Sequence, residues 1–108
     1  MGAELEAILG EMKEKSGIGG AIVRADGVTV NSTIALNEIS SGLLASVANV
    51  SDAIMKRMED QQKDIEVSMD GLILVIIPMK NHIFCGIVND REQKKIVVEY
   101  AQKAKQYL

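Results

Sequence analysis

The residues of this chain that could do chemistry are few, and their spacing argues against most of what they could do. His82 is the only histidine and Cys85 the only cysteine among 108 residues. A zinc site needs several such ligands, and nucleophilic catalysis needs a base beside its nucleophile. With no second His and no Cys pair, neither a metal site nor a Cys-His or Ser-His-Asp set is supported. His82, beside Lys80 and Asn81, reads as an exposed residue in a connection between strands. Cys85 shares a strand face with Ile83 and Ile87 and reads as a small core residue rather than a nucleophile.

The glycine cluster Gly17-Ile18-Gly19-Gly20 raises the question of phosphate binding. Phosphate loops run from a strand into a helix N-terminus, whereas this cluster follows a helical pattern and leads into a strand. Ile22 breaks the dinucleotide fingerprint, and no stretch satisfies the P-loop pattern. The cluster reads as a helix cap followed by a strand whose glycines admit a close neighbour. The carboxylates offer no acid-base pair: Glu4, Glu6, Glu11 and Glu14 fall on a solvated helix face, Asp26 and Asp70 are turn residues, and Glu59 and Asp60 end a helix. No catalytic, cofactor or metal site is expected, and the chain reads as a non-enzyme.

Composition narrows the partners. Residues 1–108 read as one domain, with 47% hydrophobic residues, enough for a core without disulfides or metals. Net charge is -3, and one Phe and two Tyr with no Trp cannot make a stacking platform, so nucleic acid is not an expected partner. A lone cysteine fits a reducing, cytoplasmic setting. The longest apolar run, 72–78, is far short of the ~20 residues that span a bilayer, and the acidic start resembles no signal peptide, so no membrane insertion is expected. Six methionines fit gap-filling in an aromatic-poor core.

The elements follow from periodicity. Leu5, Ile8, Leu9 and Met12 make one stripe of a helix over 4–15, with Gly17 at the C-cap. Two β-prone runs, 18–24 and 28–33, flank Asp26-Gly27 and predict a hairpin. Residues 39–60 return to helical period with an unusually wide apolar arc. Val50, Leu43, Ile54, Val47, Met58, Leu44, Met55 and Ala48 spread over about 160°, more than one sheet-covering face requires. The second flank is open to the same helix of another subunit or to a neighbouring element of the same chain. Residues 65–69 alternate like a strand near a sheet margin, Asp70-Gly71 predicts a second hairpin, and 72–77 is uniformly apolar, predicting a strand buried on both faces. A strand over 83–88 follows, then Asp90 with Gln93 as a capping box for a last helix. That helix has a stripe of Ile96, Val97, Tyr100, Ala101, Ala104 and Leu108, and Lys94, Lys95, Lys103 and Lys105 mostly opposite.

The order α-β-β-α-β-β-β-α with hairpin connections predicts an α/β fold: a three-layer α/β/α sandwich around a mainly antiparallel five-stranded sheet.

The stretch Gly20-Ala21-Ile22-Val23-Arg24-Ala25-Asp26-Gly27-Val28-Thr29-Val30 resembles the first hairpin of the Roadblock domain, named for a dynein light chain. Residues 65–78 are similar to that family's middle strands, and 83–88 to its last; profilin-like and longin folds share parts of the plan. The resemblance implies a fold of the Roadblock (profilin-like) type and function by surface. Roadblock domains pair as homodimers or heterodimers, packing long central helices side by side and joining third strands edge to edge, and they act as non-catalytic partners of small Ras-like GTPases or as scaffolds. Carried onto this chain, the dimer interface becomes Leu44, Ala48, Ser51 and Met55 on the central helix with Ile65, Val67 and Met69 on the pairing strand. Leu43, Val47, Val50 and Ile54 form the equally open alternative flank. Asn49, Asp52, Lys56 and Arg57 are the expected GTPase contacts.

The implied function is a cytoplasmic dimeric regulator or scaffold of a small Ras-like GTPase, pairing with itself or a paralogous Roadblock domain and needing no cofactor. The alternative is a structural, light-chain-like adaptor of a larger assembly with no nucleotide-dependent binding.

Overall fold

The computed structural model describes residues 2–34, Asn49, 64–69, 71–79 and 81–108. Helix α1, Gly2–Ser16, forms where the apolar stripe predicts it, burying Leu5, Ile8, Leu9 and Met12. It ends at Gly17, whose φ of 73° is the left-handed conformation of a helix-terminating glycine and whose N–H donates to the Lys13 carbonyl at 2.9 Å.

Strands β1, Gly19–Arg24, and β2, Thr29–Ser32, form the first hairpin. The connection is longer than a two-residue turn. Gly27 N–H donates to the Arg24 carbonyl and Arg24 N–H to the Val28 carbonyl, so Ala25, Asp26 and Gly27 make a bulged loop with Gly27 at φ 95°. Beyond β2, Thr33 extends the contact: its backbone N–H donates to Gly20 O and its hydroxyl accepts from Gly20 N–H, both at 2.9 Å.

Strands β3, Ile65–Met69, β4, Leu72–Pro78, and β5, His82–Val88, form consecutive antiparallel pairs, and β5 returns to lie antiparallel to β1. The sheet is five-stranded in the order β2-β1-β5-β4-β3. Helix α2, Lys94–Lys105, follows a short 3-10 turn over Arg91–Gln93. The predicted capping box is present in a variant form. Gln93 N–H donates to the Asp90 carboxylate, while the Gln93 side-chain oxygen accepts from Asn89 N–H, one residue earlier than in the standard box.

Helices α1 and α2 pack on one face of the sheet, over Ile18, Ile22, Val75, Phe84 and Val88. Two glycines let them approach. A Cβ on Gly20 would lie 2.6 Å from Met12 Cε and 2.8 Å from the Cys85 carbonyl oxygen, and one on Gly86 would lie 2.8 Å from Val97 Cγ2. The glycine cluster is therefore a packing surface, as its position between helix and strand predicts.

The opposite sheet face carries Ala21, Val23, Ile76, Ile83 and Cys85, all buried, with Ile34, Ile65 and Leu74 packed partly against them. The helix predicted over 39–60 lies outside the described residues except for Asn49, which is helical and exposed.

Three expectations need correction. The uniformly apolar 72–77 run is deeply buried only at Val75 and Ile76, neighbours on opposite faces, whereas Leu72 is exposed. Strand order alone does not set this, because β1 is equally one place from a sheet edge and is buried from Gly19 to Val23. His82 opens β5 and pairs with Arg24 rather than sitting in an exposed turn. Leu108 falls beyond the end of α2 and is exposed, outside the stripe assigned to it.

Candidate functional site

The two margins of the sheet differ in what they can bind. β2 is short, its ladder with β1 is irregular between Ile22 and Val23, and its exposed side chains are polar. Short, bulged and polar edges pair poorly with another chain. On the other side β4 runs past β3, since Ile65 opposes Ile76, and the overhang ends in Pro78, which has no N–H to offer.

β3 itself has neither a bulge nor a proline. Its ladder with β4 runs without a bulge from Ile65↔Ile76 to Met69↔Leu72. The pair that closes a two-residue hairpin exchanges both hydrogen bonds, and pairs then alternate. Met69, Val67 and Ile65 therefore turn their backbone groups toward β4. Glu66 and Ser68 turn theirs toward the free margin.

The side chains alternate in the other sense. Glu66 and Ser68 lie on the α1/α2 face, opposite Val75 and Ile73, and Ile65 and Val67 lie on the far face, opposite Ile76 and Leu74. Val67 is 37% exposed and Leu72 39%; on the far face Val67 lies opposite the half-buried Leu74 and two residues from Ile65, and Leu72 lies two residues from Leu74. The outcome is an apolar patch at the margin of the sheet, beside backbone donors and acceptors that no strand among the described residues pairs with.

An ion cluster ties this margin to α2. Lys94 Nζ lies 2.7 Å from Asp64 Oδ1 and 2.9 Å from Glu66 Oε1, and Arg91 Nε lies 3.4 Å from Glu66 Oε2. Hydrogen bonds to Asp64 first, and to Glu66 second, raise the Lys94 pKa above the usual lysine value. The helical pattern alone sets Lys94 on a solvated face. It is instead half-buried against β3, and it holds the acidic side chains on the helix side of the strand.

Of the expected site residues, Ile65, Val67 and Met69 all fall on β3, the last strand of the described sheet. Asn49 is helical and exposed. Leu44, Ala48, Ser51, Met55, Asp52, Lys56 and Arg57 lie outside the described residues. Sequence reasoning missed Leu72 and the Asp64–Glu66–Arg91–Lys94 cluster. Alternation along 65–69 does place Glu66 on the other face from Val67, but no local pattern names its partner.

Elsewhere, burial pushes the Cys85 thiol up to about 11, which leaves it a poor nucleophile. Among the described residues no group of His, Cys, Asp and Glu is placed to hold a metal, and no helix is long and apolar enough to cross a membrane.

No family model and no curated protein matches this sequence. Solved structures do match its fold. The gliding protein MglB from Thermus thermophilus superposes with a TM-score of 0.82 at 11% identity, covering 96% of this chain and 87% of that one. A Roadblock/LC7 domain from Streptomyces avermitilis gives 0.77 at 10% identity, covering 95% and 93%. A structure described as MglB with tetrameric arrangement gives 0.71 at 16% identity, covering 98% and 91%. At such identities the likeness is one of architecture. The chain is an α/β domain with a mainly antiparallel sheet. Within that class its fold is of the Roadblock type.

Proposed function

We propose that this chain is a non-catalytic, dimeric regulator or scaffold that binds a small Ras-like GTPase in the cytoplasm and modulates its nucleotide state or location. The observation that carries the reading is the β3 margin on a Roadblock-type fold, a regular strand with exposed Val67 whose outer side is unpaired among the described residues. In that fold class the resemblance implies third strands joined edge to edge, here through Ile65, Val67 and Met69, with Leu44, Ala48, Ser51 and Met55 as the helix seam. The partner is a second copy or a paralogous Roadblock domain. Asn49, Asp52, Lys56 and Arg57 contact the GTPase.

A regulator must bind the states it controls with different affinity. Small Ras-like GTPases from the source organism, loaded with GDP or with a non-hydrolysable GTP analogue, are titrated against the purified chain by calorimetry. Binding that differs tenfold or more between the two states supports regulation. Equal binding in both supports a nucleotide-blind adaptor instead, and no binding in either overturns the GTPase assignment.

A further inference from the structure

Building on the proposed strand-to-strand dimer, we infer that two copies of β3 pair antiparallel in one register, with Val67 facing Val67 of the second copy across the twofold axis. The backbone restricts the choices first. Because Glu66 and Ser68 present their N–H and C=O groups outward while Ile65, Val67 and Met69 do not, a second copy can hydrogen-bond only when outward residues oppose outward residues. A one-residue slip is forbidden, since it would set outward-facing groups against inward-facing ones and turn each side chain to the wrong face.

Charge then selects among the registers that remain. Centring the pair on Glu66 sets the two Glu66 side chains against each other. Centring on Ile65 opposes Asp64 and Glu66, and centring on Ser68 opposes Glu66 and Asp70. Like charges directly opposite are destabilising. Centring on Met69 runs the strand into the Asp70-Gly71 connection. Centring on Val67 instead places Glu66 opposite Ser68, whose hydroxyl can donate to the carboxylate. Asp64 and Asp70 then oppose each other only beyond the strand ends, where Asp64 is held by Lys94 at 2.7 Å.

This register also accounts for the exposure of Val67. Facing pairs at non-hydrogen-bonded positions bring their side chains closest, so Val67 would meet its own copy on the far sheet face. The ion cluster assists by drawing Glu66 toward Lys94 and Arg91, which lowers the charge each copy presents at the seam.

Single cysteines test the register in the full-length protein, because the native Cys85 is buried and unreactive. Under mild oxidation, Val67→Cys should become a disulfide-linked dimer at least tenfold faster than Val28→Cys, a control on an exposed residue of the β1–β2 connection. Ile65→Cys and Met69→Cys should each cross-link slowly alone and rapidly when mixed. If light scattering shows a dimer but Val67→Cys links no faster than the control, or more slowly than Glu66→Cys or Ser68→Cys, the register is wrong while dimerisation stands. A strictly monomeric native chain overturns the dimer reading and the register together.

Discussion

Lys94, in the first turn of α2, donates to Asp64 at 2.7 Å across thirty residues of chain, and so fastens the helix to the residue that enters the edge strand. Because Glu66 lies 2.9 Å from the same nitrogen, one ammonium group serves both carboxylates flanking Ile65. Replacing it by Lys94→Met should loosen β3 selectively. The β3 amides should exchange with deuterium several-fold faster while those of β1 and β5 are unchanged, since local opening is governed by local contacts. The global cost should be about 1 kcal/mol by urea unfolding, the scale of a partly solvated ion pair. Lys94 has a folded pKa raised above its unfolded value, so its contribution is complete below the ordinary lysine pKa of about 10.4 and is lost as pH rises through the folded value. The gap between native and variant should therefore be constant from neutral pH to about pH 10 and close above it.

Gly20 and Gly10 should respond to alanine in opposite ways. A Cβ at Gly20 meets the Cys85 carbonyl at 2.8 Å, backbone that cannot move aside as a side chain can. Gly20→Ala should destabilise by about 1–3 kcal/mol through overpacking. Gly10 lies in α1 with nothing within 4 Å of the new methyl, so Gly10→Ala should stabilise by about 0.5–1 kcal/mol through helix propensity. Thermal melts of the two variants beside the parent decide both; a stabilised Gly20→Ala would refute the close packing of α1 on β1.

Cys85 supplies a second alkaline effect with a different onset. Its thiol is raised by burial from 9.0 to about 11, so the unfolded chain ionises first. A raised folded pKa means stability that is intact below the unfolded value and declines as pH climbs toward the folded one. The loss should begin near pH 9 and reach about 2–3 kcal/mol by pH 11, because a tenfold change in proton concentration is worth about 1.4 kcal/mol when only the unfolded chain ionises. Urea midpoints measured from pH 7 to 11 on the parent and on Cys85→Ala should differ in slope across this window. Parallel profiles would show that the thiol does not titrate as a buried group.

The elements legible in the sequence are those set by local rules. The Leu5, Ile8, Leu9, Met12 stripe, the left-handed Gly17 and the Asp90–Gln93 cap each depend on residues within a few positions of one another, and each appears where expected. The margin of the sheet is legible through the alternation of 65–69. What escapes depends on strand order or on distant partners. An unbroken apolar run such as 72–77 does not say whether its strand is central, and in the order β2-β1-β5-β4-β3 it is one place from the edge. Lys94 pairs with a carboxylate thirty residues away, and the sequence pattern groups it with the solvated Lys95 on the polar side of the helix. The exposure of Leu72 and the ion cluster at the margin therefore emerge only in the folded chain.

Proline offers a way to separate the free side of β3 from its bonded side. Ser68 turns its N–H outward, so Ser68→Pro removes a donor that β4 does not use, and prolines are tolerated on the open side of edge strands. Val67 turns its N–H toward β4, so Val67→Pro breaks the ladder inside the sheet. Ser68→Pro should leave a folded chain, within about 1 kcal/mol of the parent, that light scattering reports as a monomer at concentrations where the parent is a dimer. Val67→Pro loses a ladder hydrogen bond and leaves its acceptor on β4 unsatisfied, so it should cost about 1–3 kcal/mol more than Ser68→Pro and lower the melting temperature, whatever the oligomeric state. If Ser68→Pro remains dimeric with native stability, the subunits associate without β3, and the pairing surface must be sought on the segment between β2 and β3. If instead the two prolines destabilise equally, the alternation of inward and outward backbone groups along 65–69 is not the one derived from the Met69–Leu72 closing pair.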